Sequence, residues 1–198
     1  RFAGIDWKVI QITDEPIQNL AQANELGQGQ IGELIVQGDV VTSQYVTQTD
    51  ANAMHKISDG DSFWHRMGDV GYLDERDRFW FCGRKNHRLE TQSGTLFTIP
   101  CEAIANEHPE VFRSALVGVG ERPNETPVMI LEPENKRLST DDQRRLESEI
   151  QELLKLHTPT RTIAHVLFHR DFPVDIRHNA KIFREKLAIW AATQIERS

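Results

Sequence analysis

The sequence predicts an α+β fold in two parts: a small all-β, barrel-like subdomain over residues 1–85, then a compact α+β domain over residues 86–198 with a small sheet and flanking helices. Three observations carry this expectation. Short apolar stretches bounded by turn residues dominate the first 84 positions. A polar run, Arg84-Lys85-Asn86-His87-Arg88, then follows the strand-ending Gly83 and places the boundary between Lys85 and Asn86. Beyond it the pattern reads hairpin, helix, strand, strand, helix, strand, helix, an order that builds one small sheet with helices packed on it.

Taken in order, residues 5–13 have strand character, with Trp7 and Val9 set against Lys8, and Asp14-Glu15-Pro16 ends the run. Residues 19–30 are polar and glycine-rich, a loop. The stretch from Ile31 to the terminating Gly38 reads as a strand. Residues 49–54 read as a short helix, because Thr49 or Asp50 can accept the unpaired amide hydrogens of a first turn. Residues 63–66 and 70–73 read as two short strands, with Asp59-Gly60-Asp61 as the preceding turn. Asp74-Glu75-Arg76-Asp77 turns a hairpin whose return strand is Phe79-Trp80-Phe81-Cys82-Gly83, and its aromatic run is expected in the core.

In the second part a hairpin turns at Gln92-Ser93-Gly94, and Pro100 opens a helix to about Glu107, since proline suits a first helical turn. Residues 115–119 and 128–131 are apolar strands. Ser139-Thr140-Asp141-Asp142 caps a helix to about His157, with Leu146, Ile150, Leu153, Leu154 and Leu156 at helical spacing. Residues 162–168 form another strand, and a final amphipathic helix is expected from Lys181 to about Glu196, with Ile182, Phe183, Leu187 and Trp190 inward.

Composition narrows the function classes. The 198 residues carry a formal net charge of -7, with 38% hydrophobic and 27% charged residues, the balance of a soluble globular protein. An acidic chain is a poor nucleic-acid binder, because phosphate contacts need a basic face, although basic side chains cluster at residues 84–88 and 181–186. No apolar run approaches the ~18 residues that span a bilayer. Cys82 and Cys101 sit in apolar surroundings, which suggests reduced, buried thiols and a cytoplasmic location. His165 and His169 share a strand face but have no third ligand at metal-binding spacing, so they are expected to be structural or exposed, with no metal site. The chain opens on Arg1 in what reads as a strand already under way, the start expected of a piece of a longer protein.

Four stretches, in order, resemble the late motifs of the adenylate-forming superfamily, the AMP-dependent synthetases and ligases that include acyl-CoA synthetases, peptide-synthetase adenylation domains and luciferases. They are Gly32-Glu33-Leu34-Ile35-Val36-Gln37-Gly38-Asp39-Val40-Val41 with Tyr45; Trp64-His65-Arg66-Met67-Gly68-Asp69-Val70-Gly71-Tyr72-Leu73-Asp74; Phe79-Trp80-Phe81-Cys82-Gly83-Arg84-Lys85-Asn86; and Phe172-Pro173-Val174-Asp175 leading to Asn179-Ala180-Lys181-Ile182-Phe183-Arg184-Glu185-Lys186-Leu187. Pro100-Cys101-Glu102 and His108-Pro109-Glu110-Val111 also fit. Each motif alone is weak; the order and spacing of all four across nearly the whole chain make a specific signature.

The resemblance implies an enzyme that joins a carboxylate to the α-phosphate of ATP and releases pyrophosphate. Negative charge builds at phosphorus in that step, so a fixed cation stabilises it. By resemblance that cation is Lys181, and the ATP-ribose acceptor is Asp69, whose two oxygens suit two adjacent hydroxyls. Arg84 matches the arginine on the ribose or phosphate side, and Asn86 stands at the hinge about which the C-terminal domain turns between half-reactions. Read without the motifs, Lys181 is a solvated lysine, Asp69 a turn residue, Arg84 a boundary ion-pair residue and Asn86 a linker; the motif context favours the functional roles.

Several positions depart from the family pattern. Met67 replaces a threonine, Asn86-His87 replace acidic residues, Glu90 stands for a lysine and Ala180 for a glycine. The combination resembles the β-lactone synthetase branch of bacterial olefin biosynthesis, whose members adenylate a β-hydroxy fatty acid and close a four-membered lactone. The alternatives are a fatty acyl-CoA ligase using coenzyme A, or a non-catalytic homologue. The implied partners are a small carboxylic acid, ATP with Mg2+, and the rest of the protein's own N-terminal domain, which would supply the phosphate loop and acyl pocket. No Gly-rich segment here serves as that loop, so residues 1–198 alone are expected to make no adenylate.

Overall fold

A computed structural model of the chain describes residues 4–38, 54–177 and 181–196. Most of the expected helix at residues 49–54, together with Asp39, Val40, Val41, Tyr45, Asn179 and Ala180 of the motifs, lies outside the described residues. The fold is α+β and divides into two compact units, Arg1–Asn86 and His87–Ser198.

The first unit is built on a five-stranded antiparallel sheet. Its strands are β1 (Ile5–Ile10), β2 (Gly32–Gly38), β3 (Lys56–Asp59), β4 (Ser62–Leu73) and β5 (Phe79–Arg84). The order is β1-β2-β4-β3, with β5 also on β4. The strands expected at residues 63–66 and 70–73 are thus one strand of 12 residues. Its length lets one edge carry β2 while the other carries β3 at its start and β5 at its end. Gly68, at φ 67, adopts a left-handed conformation in mid-strand that other residues rarely take, and the β4–β5 register shifts between Val70 and Gly71. No β1–β3 pairing closes the sheet among the described residues.

Ile10, Ile17, Ile35, Ile57 and Trp64 form this unit's apolar core. The aromatic run of β5 is not core: Trp80 and Phe81 are 49% and 45% exposed. Trp80 stacks on Tyr72 and donates its indole N–H to Asp74 Oδ2 at 2.9 Å, so its polar atom is satisfied at the surface. That bond, with the Arg78 and Arg76 amide hydrogens, holds the Asp74 carboxyl well below the usual carboxylate range and orders the hairpin turn.

The second unit opens with the hairpin β6 (Leu89–Thr91) and β7 (Gly94–Leu96), followed by α1 (Thr98–Ala105), with Pro100 in its first turn where the missing N–H costs nothing. A three-stranded sheet has β9 (Thr126–Pro133) at its centre, antiparallel to β8 (Val111–Val119) and parallel to β10 (His165–Phe168). The parallel pair needs a crossover, which α2 (Thr140–Lys155) supplies. Ser139 caps α2, accepting the Asp142 amide hydrogen at 3.1 Å.

Strand alternation splits the sheet's side chains between two faces. Leu116, Met129 and Leu131 meet α1 and α2 through Ile104, Leu146, Ile150 and Leu154. Ala115, Val117, Val128 and Ile130 meet α3 (Arg184–Ile195) through Leu187 and Ala191. Helices on both faces explain why Val128, Met129, Ile130 and Leu131 are all fully buried, an unbroken apolar run in a central strand. Each such aliphatic side chain contributes about 1.5–3 kcal/mol. Leu156, expected inward, is 80% exposed because α2 has already ended at Lys155.

The last helix also starts later than its apolar period suggests. Lys181–Ile182 is β12, paired antiparallel with β11 (Val174–Asp175), and α3 begins only at Arg184. Phe183 donates its amide hydrogen to the Pro173 carbonyl at 2.9 Å, which draws these residues into a hairpin before the helix starts. Both cysteines are free and buried, and burial pushes the Cys82 thiol up. No helix of the described residues is long and apolar enough to cross a membrane.

Candidate functional site

In the first unit, Asp69 and Arg84 face each other across β4 and β5 as direct register partners. Arg84 Nη1 donates to Asp69 Oδ1 at 2.5 Å. Asp69 is partly shielded, its side chain 22% exposed, while Arg84 is about half exposed. The bulge after Val70 and the left-handed Gly68 before Asp69 set the aim of this carboxylate. An ionised carboxylate has more acceptor sites than one arginine fills, so the pair can hold an arginine and still accept hydroxyl hydrogens. Met67, two residues before Asp69 on β4, is 36% exposed.

The same unit holds a buried ionic network. Glu33 on β2 is 1% exposed and Arg66 on β4 is equally buried. Glu33 Oε2 accepts from Arg66 Nη2 at 2.6 Å and Nε at 3.2 Å. The remaining arginine donors reach the carbonyls of Thr13 at 2.5 Å, Glu15 at 2.9 Å and Met54 at 3.3 Å, so the guanidinium is fully satisfied. Lys85 Nζ adds a second cation 3.2 Å from Glu33 Oε2 and donates to the Thr13 carbonyl at 3.1 Å. Lys85 is therefore tied to the core of the first unit one residue before Asn86. Asn86 itself is exposed, in a short 3-10 turn, Lys85–His87.

In the second unit, Lys181 is exposed on β12, opposite Asp175. The residues after it are anchored. Arg184 makes two contacts with Glu102 on α1, Nη1 to Oε1 at 2.8 Å and Nη2 to Oε2 at 2.9 Å. Glu102 Oε1 also accepts the Leu116 amide hydrogen at 2.8 Å. Burial pushes the Glu102 carboxyl up, and Arg184 and the Leu116 amide offset that only in part. Glu185 lies 3.4 Å from His87 Nε2. Burial, with Arg184 and Lys181 nearby, lowers the His87 pKa, opposed by Glu185. A neutral imidazole carrying its proton on Nε2 donates to that carboxylate.

Of the expected site residues, the structure brings Asp69 and Arg84 into contact, places Asn86 at the surface of the turn, and sets Lys181 at the exposed tip of a small hairpin. The sequence reading missed Glu33, Arg66, Lys85, Glu102 and His87 as partners. Glu33 and Glu102 did carry a signal: each is a lone carboxylate among apolar neighbours, a placement that requires a buried cation. A cavity of about 720 Å³, lined by Gln28, Gly29, Tyr72, Asp74, Glu75, Arg76 and Arg78, lies at the β4–β5 turn and includes neither Asp69 nor Arg84. Among the described residues no group of three His, Cys, Asp or Glu side chains is placed to hold a metal ion.

No protein-family model matches the chain. The olefin β-lactone synthetase of Xanthomonas campestris pv. campestris is 44% identical over 192 residues, covering 94% of this chain and 34% of that protein. That of Stenotrophomonas maltophilia is 43% identical over 199 residues, covering 96% of this chain and 35% of that protein. The chain therefore spans about a third of the length of the curated relatives it matches. Among solved structures, ATP-bound MatB from Rhodopseudomonas palustris superposes with a TM-score of 0.74 at 20% identity, covering 96% of this chain and 35% of that one, a likeness of fold.

Proposed function

The chain belongs to the adenylate-forming superfamily, as its C-terminal part, and from that premise we propose that the whole protein is an AMP-forming ligase that activates a β-hydroxy fatty acid and closes it to a β-lactone. The observation that carries this reading is the 43–44% identity to olefin β-lactone synthetases along nearly the whole chain. The paired Asp69 and Arg84 and the presented Lys181 support it.

In the first half-reaction a carboxylate oxygen attacks the α-phosphorus of ATP and the bond to the β,γ-pyrophosphate breaks. Lys181 lies beside the charge that builds there, and Asp69, held by Arg84, accepts the ribose hydroxyls and fixes the nucleotide. In the second, the substrate's own β-hydroxyl attacks the acyl carbonyl. Its proton passes to solvent, the bond between the acyl carbon and the phosphate oxygen breaks, and AMP leaves. Residues 1–85 would hold the nucleotide and residues 86–198 would turn about Asn86 to bring Lys181 in and then withdraw it. Mg2+ would arrive with ATP, and its protein ligands would lie in the remainder of the protein. The phosphate loop and acyl pocket would lie in the remainder of the protein, and this chain alone would make no adenylate.

The test is to incubate the full-length protein with ATP, Mg2+ and a β-hydroxy fatty acid without coenzyme A, and to identify products by mass spectrometry. A β-lactone with AMP is expected. An acyl-CoA formed only when coenzyme A is added would replace this reading with an acyl-CoA ligase. No AMP under either condition would favour a non-catalytic homologue.

A further inference from the structure

Glu102 is a buried carboxylate to which the reaction above gives no role. A buried ion pair adds little net stability, since desolvating both charges offsets most of their attraction; what it supplies is fixed geometry. Here that geometry is set next to the reacting lysine. β11 and β12 pair over two residues each, and a ribbon that short does not hold its own position in water. Arg184 is the first residue of α3, three positions after Lys181, and its guanidinium meets both carboxylate oxygens of Glu102, at 2.8 and 2.9 Å. Glu102 is in turn fixed by the Leu116 amide hydrogen, from a strand buried on both faces. Val174 and Ile182 of the hairpin also pack on the sheet's apolar face, but apolar packing is non-directional; the directional, charged link from the sheet to the Lys181 hairpin runs through Leu116, Glu102 and Arg184. His87 adds a weaker tie through the exposed Glu185.

We propose that Glu102 is a positioning residue for the adenylation half-reaction, acting through Arg184 to hold the Lys181 hairpin. This rests on the reading of Lys181 given above. A lysine on a loosened hairpin still bears its charge but spends less time where phosphorus reacts, so the loss falls on kcat and not on the KM for ATP.

The test is a cycle in the full-length protein. Glu102→Gln keeps the side chain's shape and removes its charge; it is measured with Lys181 present and in the Lys181→Ala background, by ATP–pyrophosphate exchange. With Lys181 present, kcat is expected to fall about tenfold with KM for ATP within about twofold. In the Lys181→Ala background Glu102→Gln is expected to change the rate by less than about twofold, because its route of action is gone. β-Lactone formation from supplied acyl-adenylate is expected to stay at the parental rate. Arg184→Lys, which keeps the charge but loses the planar fork, repeats the pattern and covers the case that Glu102→Gln does not fold. Equal losses in both backgrounds, or no loss in either, overturn the proposal and leave Lys181 standing. Full exchange activity in Lys181→Ala alone overturns both the proposal and the role of Lys181.

Discussion

Replacing Glu33 with glutamine tests how the first unit holds its buried charges. In the parent, one carboxylate contacts two cations: Arg66, whose side chain is fully buried, and Lys85, which is 17% exposed. Glu33→Gln keeps the shape but removes the counter-charge from the buried Arg66, and it turns amide hydrogens toward donors. Breaking a buried pair by removing one partner costs about 3–5 kcal/mol. A unit of this size is stable by about 4–13 kcal/mol, so the substitution removes a large share. Urea unfolding read by fluorescence suits the unit, because Trp64 lies in its core at 4% exposure. With a slope of about 1–3 kcal/mol per molar urea, the midpoint is expected to drop by roughly 2 M. Adding Arg66→Met to Glu33→Gln is expected to recover part of the loss, since the deepest unpaired charge is then gone. A loss below about 1 kcal/mol from Glu33→Gln alone would refute the claim that this carboxylate carries the network.

Three further outcomes follow from the packing. Glu132 is 2% exposed; burial pushes its carboxyl up, but bonds from Arg113, Lys136 and the Phe172 amide outweigh that and hold it below the ordinary value. Its stabilisation is therefore present above the unfolded value of about 4.3 and is lost as pH falls through the folded one, so the stability gap between parent and Glu132→Gln is expected to be large at pH 7 and to shrink at pH 3 in urea titrations. Gly71→Ala is expected to destabilise the first unit by about 1–3 kcal/mol in the same assay, because a Cβ there meets the Trp80 carbonyl oxygen and the Phe79 ring at 2.6 Å. Ser139→Ala removes the cap of α2 and is expected to cost about 1 kcal/mol of second-unit stability, with little change in Ser139→Asp.

What the sequence disclosed, and what it hid, divides by range. The capped helix α2 was legible because its signals are local: a Ser139 side chain within reach of the next turn and leucines three and four apart. The β4–β5 hairpin was legible from its acidic turn, but the pairing of Asp69 with Arg84 was not read, and the bulge between Val70 and Gly71 left no local mark. Trp80 and Phe81 were misread because aromatic side chains usually pack inward, while here Asp74 satisfies the Trp80 indole at the surface. Lys181 and Ile182 fit a helical period as well as a strand, and the Pro173 carbonyl decides between them from outside the segment. The buried pairs were beyond reach for the same reason: Glu33 and Arg66 are 33 positions apart, and Glu102 and Arg184 are 82 apart, so only the folded chain joins them. The site residues themselves came from motif resemblance, and local physics alone would have left Lys181 as one more solvated lysine.

The proposed role of Lys181 is to meet the α-phosphate of ATP as a fixed cation. Its most direct test is the single-turnover release of pyrophosphate by the full-length protein and by Lys181→Ala, each saturated with ATP and a β-hydroxy fatty acid. Loss of a fixed charge at the developing oxyanion predicts a fall of about 10²–10³-fold, with β-lactone formation from supplied acyl-adenylate retained. Pyrophosphate release by Lys181→Ala within about twofold of the parent would contradict it.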